Sequence, residues 1–319
     1  MLAEVVSRAG HQNESYMELM IGLDHLSAGL GTKAGWTDNF DEMRERLNAS
    51  GIHDVIAPVK HALDAVEGEK NRLLRCDDEA HADDGCKVTV RYIYEVYRGT
   101  PPEQVFAEIM AGFEIVHQGD HRYVSVNPVM PEDGPVSMRD YDLHMRMFAY
   151  FHKLYPEVHL TEHAGELAPG LVPPSGLRFH VRDAVEIGAA QRIGHGADIM
   201  EEDRPLDLLH EMAKKKVAVE ICLTSNDLIL GISGNRHPFP VYLKYGVPVA
   251  ISTDDEGVSR SDMTHEYLRA VEGYGLTYLQ LKKIVRNSIE YGFMEPEMRT
   301  KLLADLNNRF REFESSYRP

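Results

Sequence analysis

The stretch HLTEHAGEL, residues 159–167, combines the end of a predicted strand with a group of reactive side chains. Residues 158–162 form a short extended run rich in apolar and β-branched types, which favour strands. The run stops at His163-Ala-Gly-Glu166, although Asn, Asp or Pro would make a turn equally well. A histidine and a glutamate at the end of a strand therefore pose the question of whether they serve a chemical function.

Apolar and β-branched runs like this one recur along the chain, with helical patterns between them. Seven runs are predicted strands, at residues 15–22, 87–98, 122–129, 157–163, 191–196, 216–223 and 247–255. Helices are predicted at residues 1–12, 38–71, 102–118, 139–154, 181–189, 205–214 and 237–246, and from the last strand to the C-terminus. Strands that alternate with helices indicate βαβ units and a parallel sheet.

The order of these elements favours an α/β fold of the TIM-barrel type, (β/α)8. Such a barrel takes about 250 residues and eight strands, and this chain predicts seven strands after an initial helix, so a barrel without its first strand fits. An open doubly wound sheet is the alternative, but its usual Gly-rich phosphate loop is absent, since neither G-x-G-x-x-G nor a Walker motif occurs. Without repeats or linkers, we expect one N-terminally incomplete domain over residues 1–319.

The composition argues against several classes of partner. The formal net charge is −17, and so acidic a surface repels nucleic-acid phosphates. No apolar run approaches the roughly 18–20 residues of a membrane helix. The opening MLAEVVSRAGHQ resembles an amphipathic helix and lacks the basic and apolar blocks of a signal peptide. We therefore expect no nucleic-acid partner and no membrane segment, while the oligomeric state is left open.

The chain has three cysteines, Cys76, Cys86 and Cys222. The first two flank the loop-like stretch DDEAHADDG. A disulfide closing so short a loop would contribute about 2–3 kcal/mol and would indicate an oxidising compartment. Two unrelated thiols are the alternative. Zinc binding by this pair is disfavoured, because no second Cys/His pair lies at zinc-finger spacing.

Polar residues end four successive predicted strands: His163, His195, the segment Cys222–Asn226, and the pair Asp254 and Asp255. In a β/α barrel these strand ends meet at the rim that carries the catalytic groups. Each residue alone has an ordinary explanation, since a strand-end histidine is commonly structural and an aspartate pair commonly caps a helix. Two adjacent carboxylates after an apolar strand are nevertheless costly unless paired or metal-bound. Four such endings together favour a site.

The residue types fit one kind of chemistry. Neutral imidazole and carboxylate groups are zinc ligands, and zinc lowers the pKa of bound water to near neutrality. A second histidine can orient and deprotonate that water, and a glutamate with a raised pKa can protonate a ring nitrogen of the substrate. The set therefore predicts metal-assisted hydrolysis at an unsaturated carbon.

Four motifs carry a family resemblance: HAGE from His163, RIGHG from Arg192, CLTSN from Cys222 and STDD from Ser252. In this order and spacing they resemble the adenosine/AMP deaminase family of the metal-dependent amidohydrolase superfamily, from about residue 15 to the C-terminus. The resemblance implies a zinc-dependent hydrolase, with one Zn²⁺ per chain, in which water replaces the amino group at C6 of an adenine ring and ammonia leaves. The implied partner is a small purine nucleoside.

The resemblance also implies roles for individual residues. By that likeness His163 and Asp254 are zinc ligands, and Glu166 protonates the ring nitrogen N1. His195 orients and deprotonates the water.

Two further residues are implied to contact the substrate. Asp255 would hydrogen-bond both the attacking hydroxide and the purine. The backbone N–H of Gly165 would reach another ring nitrogen.

The chain departs from the family pattern at one point. The first strand of the family ends in a His-x-His pair that supplies two more zinc ligands, and none of the sixteen histidines here forms such a pair. A catalytic zinc site has at least three protein ligands, whereas this chain offers two. We expect either an N-terminally truncated deaminase or a remnant that has lost catalysis. The intact remaining residues favour the truncated deaminase.

Other substrates and another function stay open. AMP, adenine, a methylated adenine or a modified nucleoside are alternatives to adenosine, and phosphate binding would need cations such as Arg178, Arg182 or Arg260 at the rim. The acidic charge favours an uncharged nucleoside. A catalytically inactive purine-binding or interaction protein on the same scaffold is the alternative outside enzymes.

The cysteines and the expected truncation together suggest in which cellular compartment the parent protein is found. A missing N-terminus could have carried a signal peptide, and a bridge between Cys76 and Cys86 would then be consistent with export. We expect a periplasmic or secreted parent protein, with a cytoplasmic location as the alternative.

Overall fold

The computed structural model describes residues 1–118 and 120–317. Its sheet has seven parallel strands, which pair in the order in which they occur along the chain. The strands are Tyr16–Ile21 (β1), Thr89–Tyr97 (β2), Tyr123–Val129 (β3), His159–Ala164 (β4), Arg192–His195 (β5), Ala218–Ile221 (β6) and Val249–Ile251 (β7). All seven predicted strands are therefore confirmed.

The α-helices surround this sheet. They are Leu2–His11 (α1), Ser27–Ala34 (α2), Phe40–Ala49 (α3), Ile56–Leu74 (α4), Pro102–His117 (α5), Pro135–Arg139 (α6), Tyr141–Leu154 (α7), His180–Asp183 (α8), Pro205–Lys215 (α9), Leu223–Leu230 (α10), Phe239–Tyr245 (α11), Glu256–Ser259 (α12), Met263–Tyr274 (α13), Tyr278–Glu290 (α14) and Pro296–Ser316 (α15). Within the described residues, no helix has both the length and the apolar character needed to cross a membrane.

The prediction of one long helix over residues 38–71 is wrong. Helix α3 ends at Ala49, and a short 3₁₀ turn, Ile52–Val55, precedes α4. Between them Gly51 has a left-handed backbone with φ of 87°. Glycine adopts this conformation without a steric penalty and commonly ends helices. The chain therefore turns at Gly51, and two helices replace the predicted one.

The strand order is that of a β/α barrel. Each strand is hydrogen-bonded to the next one in sequence, and β1 and β7 are the two end strands of a curled sheet. Consecutive parallel strands joined by helices place all carboxyl ends at one rim. The prediction of an α/β fold of the barrel type is thus confirmed, with seven strands in the described residues.

The helices are held by one large hydrophobic core. Helix α5 is its most buried helix, since every residue from Val105 to Ile115 is buried. Its aromatic residues Phe106 and Phe113 both contact Phe151 of α7, with ring centroids 4.9 and 5.7 Å apart. Helix α5 also packs on β2 and β3, so that this contact joins α7 to the strands that lead to the rim.

Charged residues fill the sheet interior below the rim. Arg192 on β5 forms ion pairs with Glu18 on β1 and Glu220 on β6, each at 2.6 Å. Its guanidinium carbon lies 3.9 Å from the ring centroid of Phe293, between α14 and α15. The backbone N–H of Phe293 donates to Glu18 Oε1 at 2.7 Å. We call Arg192, Glu18, Glu220 and Phe293 the floor of the sheet.

A disulfide links Cys76 and Cys86, whose Cα atoms lie 5.4 Å apart. The bridge joins the end of α4 to the segment that leads into β2. Of the two alternatives that the sequence left open, the structure has the bridge. Cys222 is a free, buried thiol.

Candidate active site

Four of the predicted site residues converge at the carboxyl ends of β4, β5 and β7. The candidate ligand atoms of His163, His195 and Asp254 all lie within 4.8 Å of one another. The Nε2 atom of His195 lies 3.7 Å from Glu166 Oε1 and 3.9 Å from Asp254 Oδ2. Parallel pairing explains the convergence, because β4 and β5 place His163 opposite Gly194 and end at the same rim.

The proton on the His163 ring is placed by Asn127 at the end of β3. The Asn127 Oδ1 atom accepts the His163 backbone N–H at 3.2 Å and lies 2.9 Å from His163 Nδ1. Because a backbone N–H can only donate, this Asn127 atom is an acceptor, and His163 Nδ1 must carry the hydrogen. Desolvation, together with the charges of His195 and Arg98, lowers the pKa of His163 to about 3. The neutral ring therefore has a free lone pair on Nε2.

Two site residues have an unusual backbone. His195 and Asp254 adopt the left-handed conformation, with φ of 70° and 56°. Residues other than glycine rarely do so, and such conformations cost of order 1–3 kcal/mol unless the surroundings impose them. After β5 the constraint is visible, since the Tyr242 hydroxyl donates to the carbonyl of Gly196 at 2.7 Å. The strain lies where the chain turns its polar groups toward the rim.

The two aspartates after β7 have different surroundings. Asp254 Oδ2 accepts a hydrogen bond from the Ser225 hydroxyl at 2.6 Å. Asp255 directly precedes α12, and its carbonyl accepts the Ser259 N–H at 2.9 Å. Burial raises the pKa of Asp255, and the charge of Asp254 raises it further. Asp254 is thus oriented by a serine, whereas Asp255 lies at a helix start beside it.

Glu166 has the surroundings of a proton donor. Its side chain is 13% exposed and approaches the His195 ring. Burial raises its pKa, the charge of His195 opposes this shift, and the charges of Asp254 and Glu132 add to it. A carboxyl group that keeps its proton more readily than usual can act as a general acid.

Glu132 orients the turn that carries Glu166, and the sequence reasoning missed it. The two oxygens of this buried carboxylate accept the backbone N–H groups of Gly165 at 2.9 Å and Glu166 at 2.7 Å. His180 Nδ1 lies 2.5 Å away, and Arg98 Nη2 lies 3.8 Å away. Burial alone would raise the pKa of Glu132, but His180 and Arg98 outweigh burial and lower it to about 2.

A signal for Glu132 was present in the sequence. The residue follows the third predicted strand in the stretch NPVMPED, residues 127–133. The same reasoning that selected polar residues after the other strands would have included it.

Gly165 is required by the shape of its surroundings. It has φ of 73°, and a Cβ atom there would lie 2.4 Å from Asp198 Oδ1 and 2.6 Å from a Val181 methyl group. The resemblance assigned its N–H to a substrate ring nitrogen. In this structure that N–H already donates to Glu132.

The three candidate arginines do not form a joint phosphate site. Arg178 is ion-paired with Asp203, and Arg182 forms an ion pair with Glu186 at 2.5 Å. Arg260 is exposed after α12. Two of the three charges are thus already compensated by carboxylates.

The donor set fits a zinc ion. His163 presents an unprotonated Nε2, and Asp254 presents a carboxylate, and both are common zinc donors. Asn127 and Ser225 hydrogen-bond these two groups from behind, as the outer partners of metal ligands commonly do. His195 is the third group within reach. His163 and Asp254 therefore fit two of the ligand positions of the metal site that the sequence predicted.

A barrel-type parallel sheet with a His, Asp and Glu cluster at the carboxyl rim is the arrangement of a β/α-barrel enzyme with a candidate metal site. The sequence model described as adenosine deaminase matches residues 59–309. The chain belongs to the adenosine deaminase family.

Curated relatives agree with this assignment. An adenosine deaminase of Escherichia coli strain SE11 is 34% identical over 145 residues, which is 45% of this chain and 40% of that protein. An adenosine deaminase of Escherichia coli O1:K1 matches to the same extent. The matched segment thus covers less than half of these relatives.

Solved structures share the fold. An adenine deaminase from Arthrobacter aurescens matches with a TM-score of 0.64 at 17% identity, over 97% of this chain and 78% of that one. A zinc-bound amidohydrolase from Burkholderia ambifaria has a TM-score of 0.67 at 17% identity, over 98% and 73%. Arabidopsis ADAL in complex with IMP has a TM-score of 0.66 at 20% identity, over 97% and 76%.

Proposed function

We propose that this chain carries the active site of a hydrolytic deaminase that converts the 6-amino group of adenosine, or of a related adenine compound, to a 6-oxo group and releases ammonia. The observation that carries the proposal is the convergence of His163, Glu166, His195 and Asp254 at one rim. Metal donors and a proton donor within a few ångströms are the groups that this reaction needs. Membership of the adenosine deaminase family supports the same reaction.

In this proposal His163 Nε2 and an Asp254 oxygen would hold one Zn²⁺ per chain. Zinc, when bound, supplies a water molecule of lowered pKa as the nucleophile. Asn127 fixes the His163 ring and Ser225 fixes the Asp254 carboxylate, so that both donors are oriented before the metal binds.

The remaining residues act on the water and the purine. Glu166 protonates the ring nitrogen N1, which makes C6 more electrophilic. His195 orients the water, and Asp255 hydrogen-bonds the water and the purine. Gly165 lines the purine pocket, and its N–H would have to exchange Glu132 for a ring nitrogen to bind the substrate directly.

We propose an uncharged nucleoside as the substrate rather than a nucleotide. Two of the candidate arginines are ion-paired, and carboxylates face the rim instead. Burial raises the pKa of Glu95 against its hydrogen bond from Tyr97, and the nearby charge of Asp255 raises it further. A phosphate would meet like charges here. Ammonia release from adenosine, AMP, adenine and N6-methyl-AMP, compared at equal concentration, separates these substrates.

The test of the proposal is ammonia release from adenosine by the zinc-loaded chain, compared with its Glu166→Gln variant. We expect the variant to retain zinc and to lose about 10²–10⁴-fold in turnover, because it lacks the proton donor. Glu45→Gln, an exposed change on α3, is the matched control and should keep full turnover. Equal turnover of wild type and Glu166→Gln would refute the assigned role.

The alternative outside enzymes is a purine-binding protein on the same scaffold. A catalytic zinc site has at least three protein ligands, and His163 and Asp254 are two. Zinc-loaded protein that binds adenosine in a calorimeter but never releases ammonia would favour this alternative over the deaminase.

We also propose an oxidising compartment, as in the periplasm or after secretion, with the cytoplasm as the alternative. The bridge between Cys76 and Cys86 supports it, since disulfides rarely persist in the cytosol. Thiol titration of the denatured, unreduced protein should find one free thiol, that of Cys222. Three free thiols would contradict the bridge and remove the argument for export.

A further inference from the structure

A chain of three hydrogen bonds reaches the His195 ring from the side opposite the candidate metal ligands. The backbone N–H of Phe239 lies 3.1 Å from His237 Nδ1. His237 Nε2 lies 3.0 Å from Asn226 Oδ1, and Asn226 Nδ2 lies 3.0 Å from His195 Nδ1. The side chains of Asn226, His237 and His195 are 0–3% exposed, so that water has little access to compete for these contacts.

The direction of every hydrogen bond in this chain follows from its first member. A backbone N–H can only donate, so His237 Nδ1 accepts, and the neutral His237 ring carries its hydrogen on Nε2. That hydrogen requires an acceptor, which orients the Asn226 amide with its oxygen toward His237. The amide nitrogen then donates to His195 Nδ1, and the neutral His195 ring carries its hydrogen on Nε2.

Two further observations agree with this direction. His237 is neutral in the folded protein, since its pKa is lowered to about 4, chiefly by burial. The Nε2 atom of His195 points at carboxylate oxygens of Glu166 and Asp254, at 3.7 and 3.9 Å. The Asp254 carboxylate offers hydrogen-bond acceptors, and so it favours a hydrogen on that nitrogen over a lone pair.

We propose that Asn226 and His237 are positioning residues that hold neutral His195 as the tautomer with its hydrogen on Nε2, so that His195 acts as a hydrogen-bond donor in the active site. That this donor acts in catalysis rests on the proposed function. The tautomer itself does not.

The consequence is a division of roles between two facing histidines. The rings of His163 and His195 have centroids 5.0 Å apart. Asn127 leaves His163 with a lone pair on Nε2, whereas Asn226 leaves His195 with a hydrogen there. His163 is therefore suited to bind a metal ion, and His195 is suited to donate a hydrogen bond to the oxygen of the attacking water.

This assignment refines the role that the family resemblance gave to His195. A neutral ring with its hydrogen on Nε2 cannot accept a proton at that same nitrogen. His195 therefore orients the water without being its first proton acceptor, and it is not a third metal ligand in this tautomer. A bound zinc ion would lower the pKa of the water to near neutrality, so that its proton could leave to solvent while Glu166 keeps its own proton for the purine.

The test is long-range ¹H–¹⁵N correlation NMR of the metal-free full chain labelled with ¹⁵N-histidine, because bare and protonated ring nitrogens differ strongly in ¹⁵N shift. The His195 signals are assigned by their loss in His195→Gln. We expect a bare Nδ1 and a protonated Nε2 in the wild type. A hydrogen on Nδ1 would overturn the proposal directly.

We call the hydrogen bonds that run from Phe239 through His237 and Asn226 to His195 the relay. Variants test whether the relay causes this tautomer. Asn226→Asp keeps the shape but cannot donate, so we expect the tautomer to reverse, with the hydrogen on Nδ1. His237→Gln retains a donor toward Asn226 and should keep the wild-type tautomer, whereas His237→Leu should give a mixture. An unchanged tautomer in Asn226→Asp or His237→Leu would refute the causal role.

A matched control separates the relay from general damage to the fold. Asn287 on α14 is also a buried asparagine, and its amide donates to the Val249 carbonyl at 2.8 Å. Asn287→Asp introduces the same change elsewhere and should leave the His195 tautomer as in the wild type. If it reverses the tautomer as well, the effect is not specific to Asn226.

The outcome is independent of the deaminase assay. A protein with the expected tautomer that releases no ammonia would contradict the proposed function and leave the relay intact. A deaminase with the hydrogen on His195 Nδ1 would contradict the relay and leave the function intact.

Discussion

Replacing Glu132 by glutamine changes one buried charge to a neutral amide of nearly the same shape. The carboxylate accepts the N–H groups of Gly165 and Glu166 and contacts His180, and it is the counter-charge of the buried Arg98. Glutamine keeps one acceptor oxygen and turns an NH₂ group toward a group that itself donates. One backbone N–H or the His180 ring thus loses its acceptor, and the guanidinium loses its counter-charge.

The contacts of Glu132 determine how much free energy of unfolding the Glu132→Gln variant should lose. A hydrogen bond to a charged group contributes about 1.5–3 kcal/mol, and removing one partner of a buried ion pair costs about 3–5 kcal/mol. These costs overlap because they concern the same carboxylate, so we expect Glu132→Gln to lower the free energy of unfolding by about 3–5 kcal/mol. Domains have total stabilities of about 5–15 kcal/mol, so the loss is easily measured.

Glu162 on β4 provides a matched control. It is equally buried, but neither of its carboxylate oxygens has a hydrogen-bond partner among residues 1–118 and 120–317. Burial raises its pKa to about 8, against the opposing charge of Arg98, so that it is mostly a neutral acid at pH 7. Glu162→Gln replaces one neutral group by another and should cost no more than about 1 kcal/mol.

Urea unfolding followed by circular dichroism at pH 7 measures both variants. If Glu132→Gln cost no more than Glu162→Gln, the reasoning from the Glu132 contacts would be refuted.

The pH dependence is a second check on Glu132. Its folded pKa of about 2 lies below its ordinary value of 4.5. Its contribution is therefore fully present above pH 4.5 and is lost as the pH falls through about 2. The stability difference between wild type and Glu132→Gln should narrow on acidification, and a constant difference would contradict the assigned charge.

Three further changes test other parts of the structure. His163→Ala removes the proposed ligand nitrogen, and calorimetry should show at least a roughly tenfold loss of zinc affinity. Changing Cys76 and Cys86 to serine should lower the free energy of unfolding in urea by about 3 kcal/mol, since the unfolded chain gains freedom. Gly165→Ala should cost about 2 kcal/mol or more in the same assay, because its Cβ would lie 2.4 Å from Asp198 Oδ1.

Each of these changes has its own control. His121→Ala removes an exposed histidine and should keep zinc affinity. The wild type in reductant should match the serine variant, and unchanged stability in reductant would exclude a stabilising bridge. Gly68→Ala, in open space on α4, should stabilise by up to about 1 kcal/mol; equal effects at Gly68 and Gly165 would contradict the steric argument.

The strands could be predicted because each is a compact run of apolar and β-branched residues between helical patterns. Parallel pairing then required their carboxyl ends to share one rim, which brought His163, His195 and Asp254 together although they are distant in sequence. The order of the four motifs was sufficient to indicate the family. That residues 1–319 form one domain stays a prediction.

Other features depend on three-dimensional contacts that a pattern does not contain. The break at Gly51 was missed because the helical pattern continues on both sides of it. Asn127 looked like an ordinary strand residue, and its importance follows only from its distance to His163. The roles of Asn226 and His237 required the directions of hydrogen bonds, which a sequence pattern does not contain.

The floor of the sheet makes the last two helices relevant to the site electrostatics. Phe293 lies between α14 and α15 and covers the Arg192 guanidinium, so its place depends on the packing of both helices. Without that ring, water would reach the ion pairs from below and raise the effective dielectric constant beneath the rim. Charge interactions there would weaken. Helices α14 and α15, which do not contact the substrate in this proposal, thus keep water away from the ion pairs beneath the rim. They thereby strengthen the charge interactions that act on the site residues.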